Sequence, residues 1–295
     1  MRKRLMHARI MNRLSSEERA AVVNCLIEGN SIRSTVRITG VAKKTVTRLL
    51  VECGEFCSQY QDAVFRNLHC ERLQVDELWS FVYAKQKNVT EEMAVERIAG
   101  DVWLWSCIDA DTKLVPSWYV GQRDAAAATA FIADIESRLA NRVQLTSDGH
   151  KVYLNAVIDA FADEIDYAQL VKYYGEPSDG QKRYSPAVCT GAEKIIRLGD
   201  PDPKHISTSY VERHNLSVRM TVRRFTRLTN AFSKKIENHI AAIALGYFAY
   251  NFIKINRMIR VTPAMAAGVT DRLWSVYDLV AAWEIWEREQ RQKAA

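Results

Sequence analysis

Between residues 73 and 173 the hydrophobic pattern changes its period repeatedly, in an order that few folds can satisfy. Leu73, Val75, Trp79 and Phe81 fall on alternate positions, with Asp76 on the opposite side, which is the spacing of a strand with one buried face. Residues 102–108 read as a second strand, 109–112 as a turn and 114–120 as a third strand, so the three predict an antiparallel meander. Asp124 is placed to cap an alanine-rich helix that runs to about Leu139, because its carboxylate can accept from the unpaired N–H groups of a first turn. Residues 143–146 form a short strand that ends at Ser147-Asp148-Gly149-His150, 153–161 a helix, and 167–173 a fifth strand. The order β-β-β-α-β-α-β, followed by helices, predicts an α/β protein with a mixed sheet and flanking helices.

The flanks of this region are helical. Ser15 with Glu18 makes a capping box for a first helix, which Gly29-Asn30 ends. A short helix over 31–38, a turn at Thr39-Gly40-Val41 and a third helix over 42–53 form a helix-turn-helix pattern. Lys43, Lys44, Thr45, Thr47 and Arg48 then fall at the start of the helix that such a motif presents to DNA. The expected organisation is a helix-turn-helix domain with a basic arm over 1–54, a linker helix over 55–70, the sheet domain over 71–260 and a helical segment over 261–295. Within the sheet domain, 175–203 is punctuated by glycine and proline and reads as one long loop, a length that is uncommon without a function. Residues 232–255 read as a mostly apolar helix. The last helix, over 273–289, carries Trp274, Trp283 and Trp286, read as core or as an interface between copies.

Charge is segregated along the chain. Residues 1–50 carry 11 Lys/Arg against 3 Asp/Glu and residues 204–260 carry 11 against 2, whereas residues 51–203 carry 15 against 25. Two basic blocks around an acidic middle point to nucleic acid, since clustered cations supply the sequence-independent part of that affinity. The longest apolar run, 240–253, is shorter than a membrane span and holds Asn251. No membrane association and residence in the cytoplasm are therefore expected. The six cysteines are scattered, so neither a disulfide framework nor a zinc site is predicted.

Three carboxylates stand out by their placement: Asp76 in mid-strand, Asp148 at a strand end before Gly149, and Glu212 as the lone acid of a helix that also carries Arg213, Arg219, Arg223 and Arg224. Ser207, Thr208 or Ser209 could cap that helix. Hard divalent cations take such oxygen ligands together with substrate phosphate oxygens, and two of them can serve the attacking and the leaving oxygen of a phosphodiester displacement. Val75-Asp76-Glu77-Leu78-Trp79, Thr146-Ser147-Asp148-Gly149 and Val211-Glu212-Arg213-His214-Asn215 resemble, in order and context, the motifs of DDE transposases of the insertion-sequence-one type. The resemblance runs over roughly residues 14–285.

That resemblance implies a ribonuclease-H-like catalytic core in a prokaryotic DNA transposase that is nucleoid-associated when bound. It implies phosphodiester hydrolysis at element ends and transfer of the 3′-end to a target. Asp76, Asp148 and Glu212 become ligands of Mg²⁺ or Mn²⁺, as two ions. The partners implied are double-stranded DNA, both terminal inverted repeats and target, and further copies of the chain. Arg213, Asn215, Arg219 and Arg223 are expected on the DNA backbone. His150 and His214 are expected either to contact phosphate or the attacking water, or only to hydrogen-bond. Glu77 is expected in a salt bridge on the other strand face. The alternatives are a non-catalytic DNA-binding regulator and a structure-specific nuclease.

Overall fold

The computed structural model describes residues 14–96, 99–175 and 189–293. Most of the basic arm, and residues 176–188 of the expected loop, lie outside them.

Three helices open the described chain: α1 (Ser16–Ile27), α2 (Ile32–Thr39) and α3 (Lys43–Val64). The capping box of α1 forms as expected, Glu18 N donating to Ser15 Oγ (3.2 Å) and Ser15 N to Glu18 Oε2 (2.9 Å). Gly40, at φ 73°, ends α2 in the left-handed region that a residue without Cβ adopts freely. The helix expected over 42–53 and the linker helix expected over 55–70 are one helix up to Val64, so the expected domain boundary at residue 54 lies inside α3. Gly54 admits a neighbouring helix. A Cβ at this position would lie 2.6 Å from the Ala241 backbone.

Strands β1 (Arg72–Val82), β2 (Gly100–Asp109), β3 (Ser117–Gly121), β4 (Gln144–Asp148), β5 (Asp166–Tyr174) and β6 (Cys189–Leu198) form one sheet in the order β3-β2-β1-β4-β5-β6. β4 runs parallel to both β1 and β5, and the remaining pairs are antiparallel. A short helix, α4 (Glu91–Glu96), lies between β1 and β2; α5 (Ala125–Glu136) follows β3 and α6 (Val152–Phe161) joins β4 to β5. The molecule is thus α/β with a mixed sheet, as expected. Asp124 caps α5 by accepting from Ala127 N. The third strand starts at Ser117 rather than 114, immediately beyond Pro116, which has no N–H for the ladder. The long-loop reading of 175–203 is corrected: Cys189–Leu198 is the edge strand β6, paired with β5.

Helices α7 (Ser209–Thr221) and α8 (Ile236–Phe248), a π-helical turn over Ala249–Ile253, α9 (Pro263–Ala266) and α10 (Val276–Lys293) complete the chain. Alternation along β1 divides the core between its two sides. Leu73 and Val75 join a cluster with α5 and α6 residues such as Phe131 and Tyr153, whereas Leu78 joins Val211 and Val218 of α7 and Ile243 of α8. The helix expected over 232–255 is shorter because its chain rewinds at Asn251. This fully buried side chain accepts from Val115 N (3.1 Å) and donates to Val115 O (3.0 Å) and Gln61 Oε1 (3.2 Å), tying α8 to α3 and to the approach of β3. The tryptophans of the last segment are core. Trp283 is fully buried with the Arg19 guanidinium 4.6 Å above its ring, and Trp274 packs on Tyr60, Phe248 and Phe252. Trp286 is half-buried, packing on Phe56 and donating to Gln59 Oε1 (3.2 Å). Among the described residues, no helix is long and apolar enough to cross a membrane.

Candidate active site

The register of β1 with β4 runs Arg72↔Gln144, Leu73↔Leu145, Gln74↔Thr146. Continued by two residues it brings Asp76 level with Asp148, and neighbouring strands lie only about 4.8 Å apart. The pairing stops at Gln74, so a gap opens beside Asp76 and Glu77 where β4 ends. Side chains from both faces of β1 reach into it. Carboxylate oxygens of Asp76, Glu77 and Asp148 lie within 4.8 Å of one another, a spacing that lets them share a metal ion.

Each acid is held by its surroundings. Asp76 Oδ1 accepts from Glu77 N and Oδ2 from Asn215 Nδ2 of α7, both at 2.8 Å. Asp148 Oδ1 accepts from His150 N (2.9 Å), and Gln169 of β5 fixes the turn beneath it by donating to Asp148 O and His150 O. Gly149 faces Val171 so closely that a Cβ would sit 3.1 Å from that side chain. Glu77 points to the α6 face, where Arg123 Nε donates to Oε2 (3.2 Å); the same guanidinium reaches to 3.9 Å from Asp148. The salt bridge expected for Glu77 is therefore formed, but the residue also belongs to the acidic group.

Electrostatics follow from this crowding. Burial, reinforced by the charge of Asp148, pushes the Asp76 carboxyl up to about 6, with Glu212 adding to the effect. Burial also pushes Glu77 up to about 7. The Tyr153 hydroxyl lies beside Glu77 and opposes this rise, yet that hydroxyl and Glu77 Oε1 both lack a partner at hydrogen-bonding geometry. Buried acids that repel one another and leave an oxygen unpartnered suit a hard divalent cation, which would supply the missing charge and take oxygen ligands. The donor set therefore fits Mg²⁺ or Mn²⁺.

Glu212 stands apart from that group. It lies in the first turn of α7, where Oε1 accepts from Thr208 Oγ1 (2.5 Å) and pairs with Lys172 Nζ of β5. Ser207 takes part in the cap as expected, its Oγ accepting from Ser209 N (3.2 Å), while Thr208 makes no side-chain cap. Buried Gln74 of β1 completes it, its Oε1 accepting from Tyr210 N (2.8 Å) and Val211 N (3.2 Å). The strand bearing Asp76 thus sets the start of the helix bearing Glu212.

The remaining candidates divide. Asn215 is buried and turned to Asp76, so its amide is not a free DNA contact. Arg219, one turn further and half-buried, feels the Asp76 charge, while Arg213 is exposed and Arg223 half-buried. His150 stacks on Trp105 (6.4 Å between centroids), and burial lowers its pKa. His214 is enclosed by Tyr247 and Tyr250, and burial takes it down to about 3. It faces away from the acids. Lys43, Lys44 and Arg48 are exposed at the start of α3 and Thr45 and Thr47 half-exposed, with Arg48 3.7 Å from Glu52. Arg123, Lys172 and Gln74 escaped the sequence reading. Each acts on a residue distant in sequence, through a contact that no local pattern announces.

No known protein-family model matches the chain, and no curated protein matches it by sequence. Solved structures similar to it include the following three. A chain of the simian T-cell lymphotropic virus intasome in complex with PP2A regulatory subunit B56 gamma is 12% identical with a TM-score of 0.37, over 86% of this chain and 76% of that one. A chain of the piggyBac transposase synaptic complex with hairpin DNA is 8% identical with a TM-score of 0.39, over 96% and 73%. Argonaute of Kluyveromyces polysporus with a guide RNA is 8% identical with a TM-score of 0.22, over 76% of this chain and 34% of that one. Likenesses this distant carry no argument about function.

Proposed function

We propose that this chain is a DNA transposase of the DDE type, with a ribonuclease-H-like core over 71–260 and a helix-turn-helix segment ahead of it. Asp76, Asp148 and Glu212 act as ligands of Mg²⁺ or Mn²⁺ in hydrolysis at element ends and in 3′-end transfer. The observation that carries the reading is the convergence of Asp76 and Asp148 on neighbouring parallel strands, with the Glu212 helix capped by Gln74 and bonded to Asp76 through Asn215. The ions, when bound, supply charge for the attacking and leaving oxygens. Asn215 orients Asp76, Gln169 holds the Asp148 turn, and Arg219 approaches from the same face as a phosphate contact. Lys43, Lys44, Thr45, Thr47 and Arg48 read the terminal repeats, while Arg213 holds a backbone phosphate; Arg223, expected to do the same, lines a separate cleft. The chain works as a homo-oligomer that pairs two ends.

Incubation with Mg²⁺ and the DNA flanking its coding sequence yields cleaved ends and joined products; Asp148→Asn and Glu212→Gln abolish both while DNA binding remains. Full activity in either variant refutes the reading. A second reading, a metal-dependent nuclease that uses Asp76, Glu77 and Asp148, draws on the closeness of Glu77 and on the pairing of Glu212 with Lys172. It predicts cutting without joining, and sensitivity to Glu77→Gln instead of Glu212→Gln.

A further inference from the structure

Successive residues of a helix are about 100° apart, so Glu212, Asn215 and Arg219 share one face of α7 while His214, Ser217 and Thr221 share the opposite one. The second face is one wall of a cleft of about 820 Å³. Its other walls are the end of α1 and start of α2, the start of α3, residues 230–235 and α8. Seven lysines and arginines line it, and no Asp or Glu does among the described residues. Six of the seven come from two stretches far apart in sequence, Arg33 and Lys43 from one and Arg223, Arg224, Lys234 and Lys235 from the other. The seventh, Lys254, is paired with Glu28 outside the lining (3.3 Å).

Two observations say that the cleft is built for a ligand rather than merely basic. His214 is 4% exposed, yet its Nε2, in a side chain lining the cleft, has no partner, and the Nε of Arg223 is likewise buried without one. Buried polar atoms in folded proteins are nearly always bonded, so each waits for an acceptor or donor from outside. The cations are joined by rings, Phe232 and Tyr250 lining the same space. Basic grooves with interleaved aromatic rings recognise single-stranded nucleic acid, the charges tracking the backbone and the rings stacking bases. The volume is that of a small-molecule pocket, room for a few nucleotides of one strand.

We propose that this cleft is a second nucleic-acid site, which takes a single strand with its phosphates on Arg33, Arg224, Lys234 and Lys235 and a base against Phe232 or Tyr250. It rests on the DNA reading above only for the identity of the polyanion, and it does not involve the carboxylates. During processing of a DNA end it would hold a strand peeled from the duplex.

The test measures binding of the full chain to a fluorescent oligothymidine strand, by anisotropy in EDTA, across a salt series. The triple variant Arg33→Gln/Lys234→Gln/Lys235→Gln is expected to lose about tenfold or more in affinity. Each phosphate contact on a single strand contributes about 0.7 to the salt slope, so three substitutions lower it by about 2. His214→Phe, which keeps the ring packing but removes Nε2, weakens binding severalfold. A control with the same charge change elsewhere, Arg288→Gln/Arg291→Gln/Lys293→Gln, binds as the wild type does, and thermal melting checks that every variant is folded. Asp148→Asn also binds normally, so failure of the catalytic reading leaves this result untouched. Absence of single-strand binding by the wild type, an unaffected cleft variant, or an equal loss in the control overturns the proposal.

Discussion

The two faces of α7 do opposite things with charge. One presents Glu212, Asn215 and Arg219 to a gap in the sheet where buried acids raise one another's pKa. The other forms the wall of a cleft where, among the described residues, cations line the space without a carboxylate. The first face needs added positive charge and the second needs added negative charge. A phosphodiester strand that arrives with divalent ions satisfies both, and a single helix 13 residues long keeps the two sites in fixed relation. The difference teaches that net charge is a poor guide here: the basic block around α7 serves two sites of opposite sign.

The comparison breaks most visibly on the acidic side. Asp148→Asn is expected to lower Mg²⁺-dependent cleavage by on the order of 10³-fold, corresponding to several kcal/mol of lost charge stabilisation. Gel analysis of labelled ends reads this, and thermal melting is expected to move little.

The next effect is on stability against pH without metal. The folded protein holds the Glu77 proton up to about pH 7, against an ordinary value of 4.5. The native state thus binds more protons than the unfolded chain in this window, and its stability falls as pH rises from about 4.5 to 7. Glu77→Gln removes that contribution, on the order of 3 kcal/mol across the window. Urea denaturation at pH 5 and pH 8, in EDTA, reads the difference; equal pH dependence in the two proteins contradicts it.

A smaller loss is expected on the side that joins the faces. Gln74→Leu leaves Tyr210 N and Val211 N uncapped, at a cost of about 1–2 kcal/mol, measured by the same denaturation series. The smallest effect concerns Lys172, which pairs with Glu212 at a partly exposed position. Lys172→Met removes a cation that competes with metal, so Mn²⁺ affinity rises by less than about tenfold, in line with the modest worth of exposed pairs. Calorimetric titration reads the change, and weaker binding contradicts it.

Much of the fold was legible because its signals are local. The alternation at Leu73 and Val75, the Ser15 capping box and the Asp124 cap each declare an element within a few residues. What was missed depends on distant neighbours. The boundary expected at residue 54 falls inside one helix, where the missing Cβ of Gly54 lets Ala241 approach. β6 was read as loop because it is an edge strand with mostly exposed side chains, so no buried face imposes an alternation. At the site, Asp76, Asp148 and Glu212 drew notice as charges in unusual surroundings. The inward turn of Asn215, the arrival of Arg123 and the closeness of Glu77 are products of the gap at the end of β4. The cations of the basic cleft all lie in the two basic blocks that the sequence announces; that the blocks meet in one cleft is legible only in the tertiary structure.

The most direct test sets Glu212→Gln against Glu77→Gln in Mg²⁺-dependent cleavage and joining of labelled element ends. The account predicts that Glu212→Gln abolishes both products while Glu77→Gln retains them. Normal joining by Glu212→Gln, with loss in Glu77→Gln, would contradict it and assign the metal to the three acids clustered in the gap.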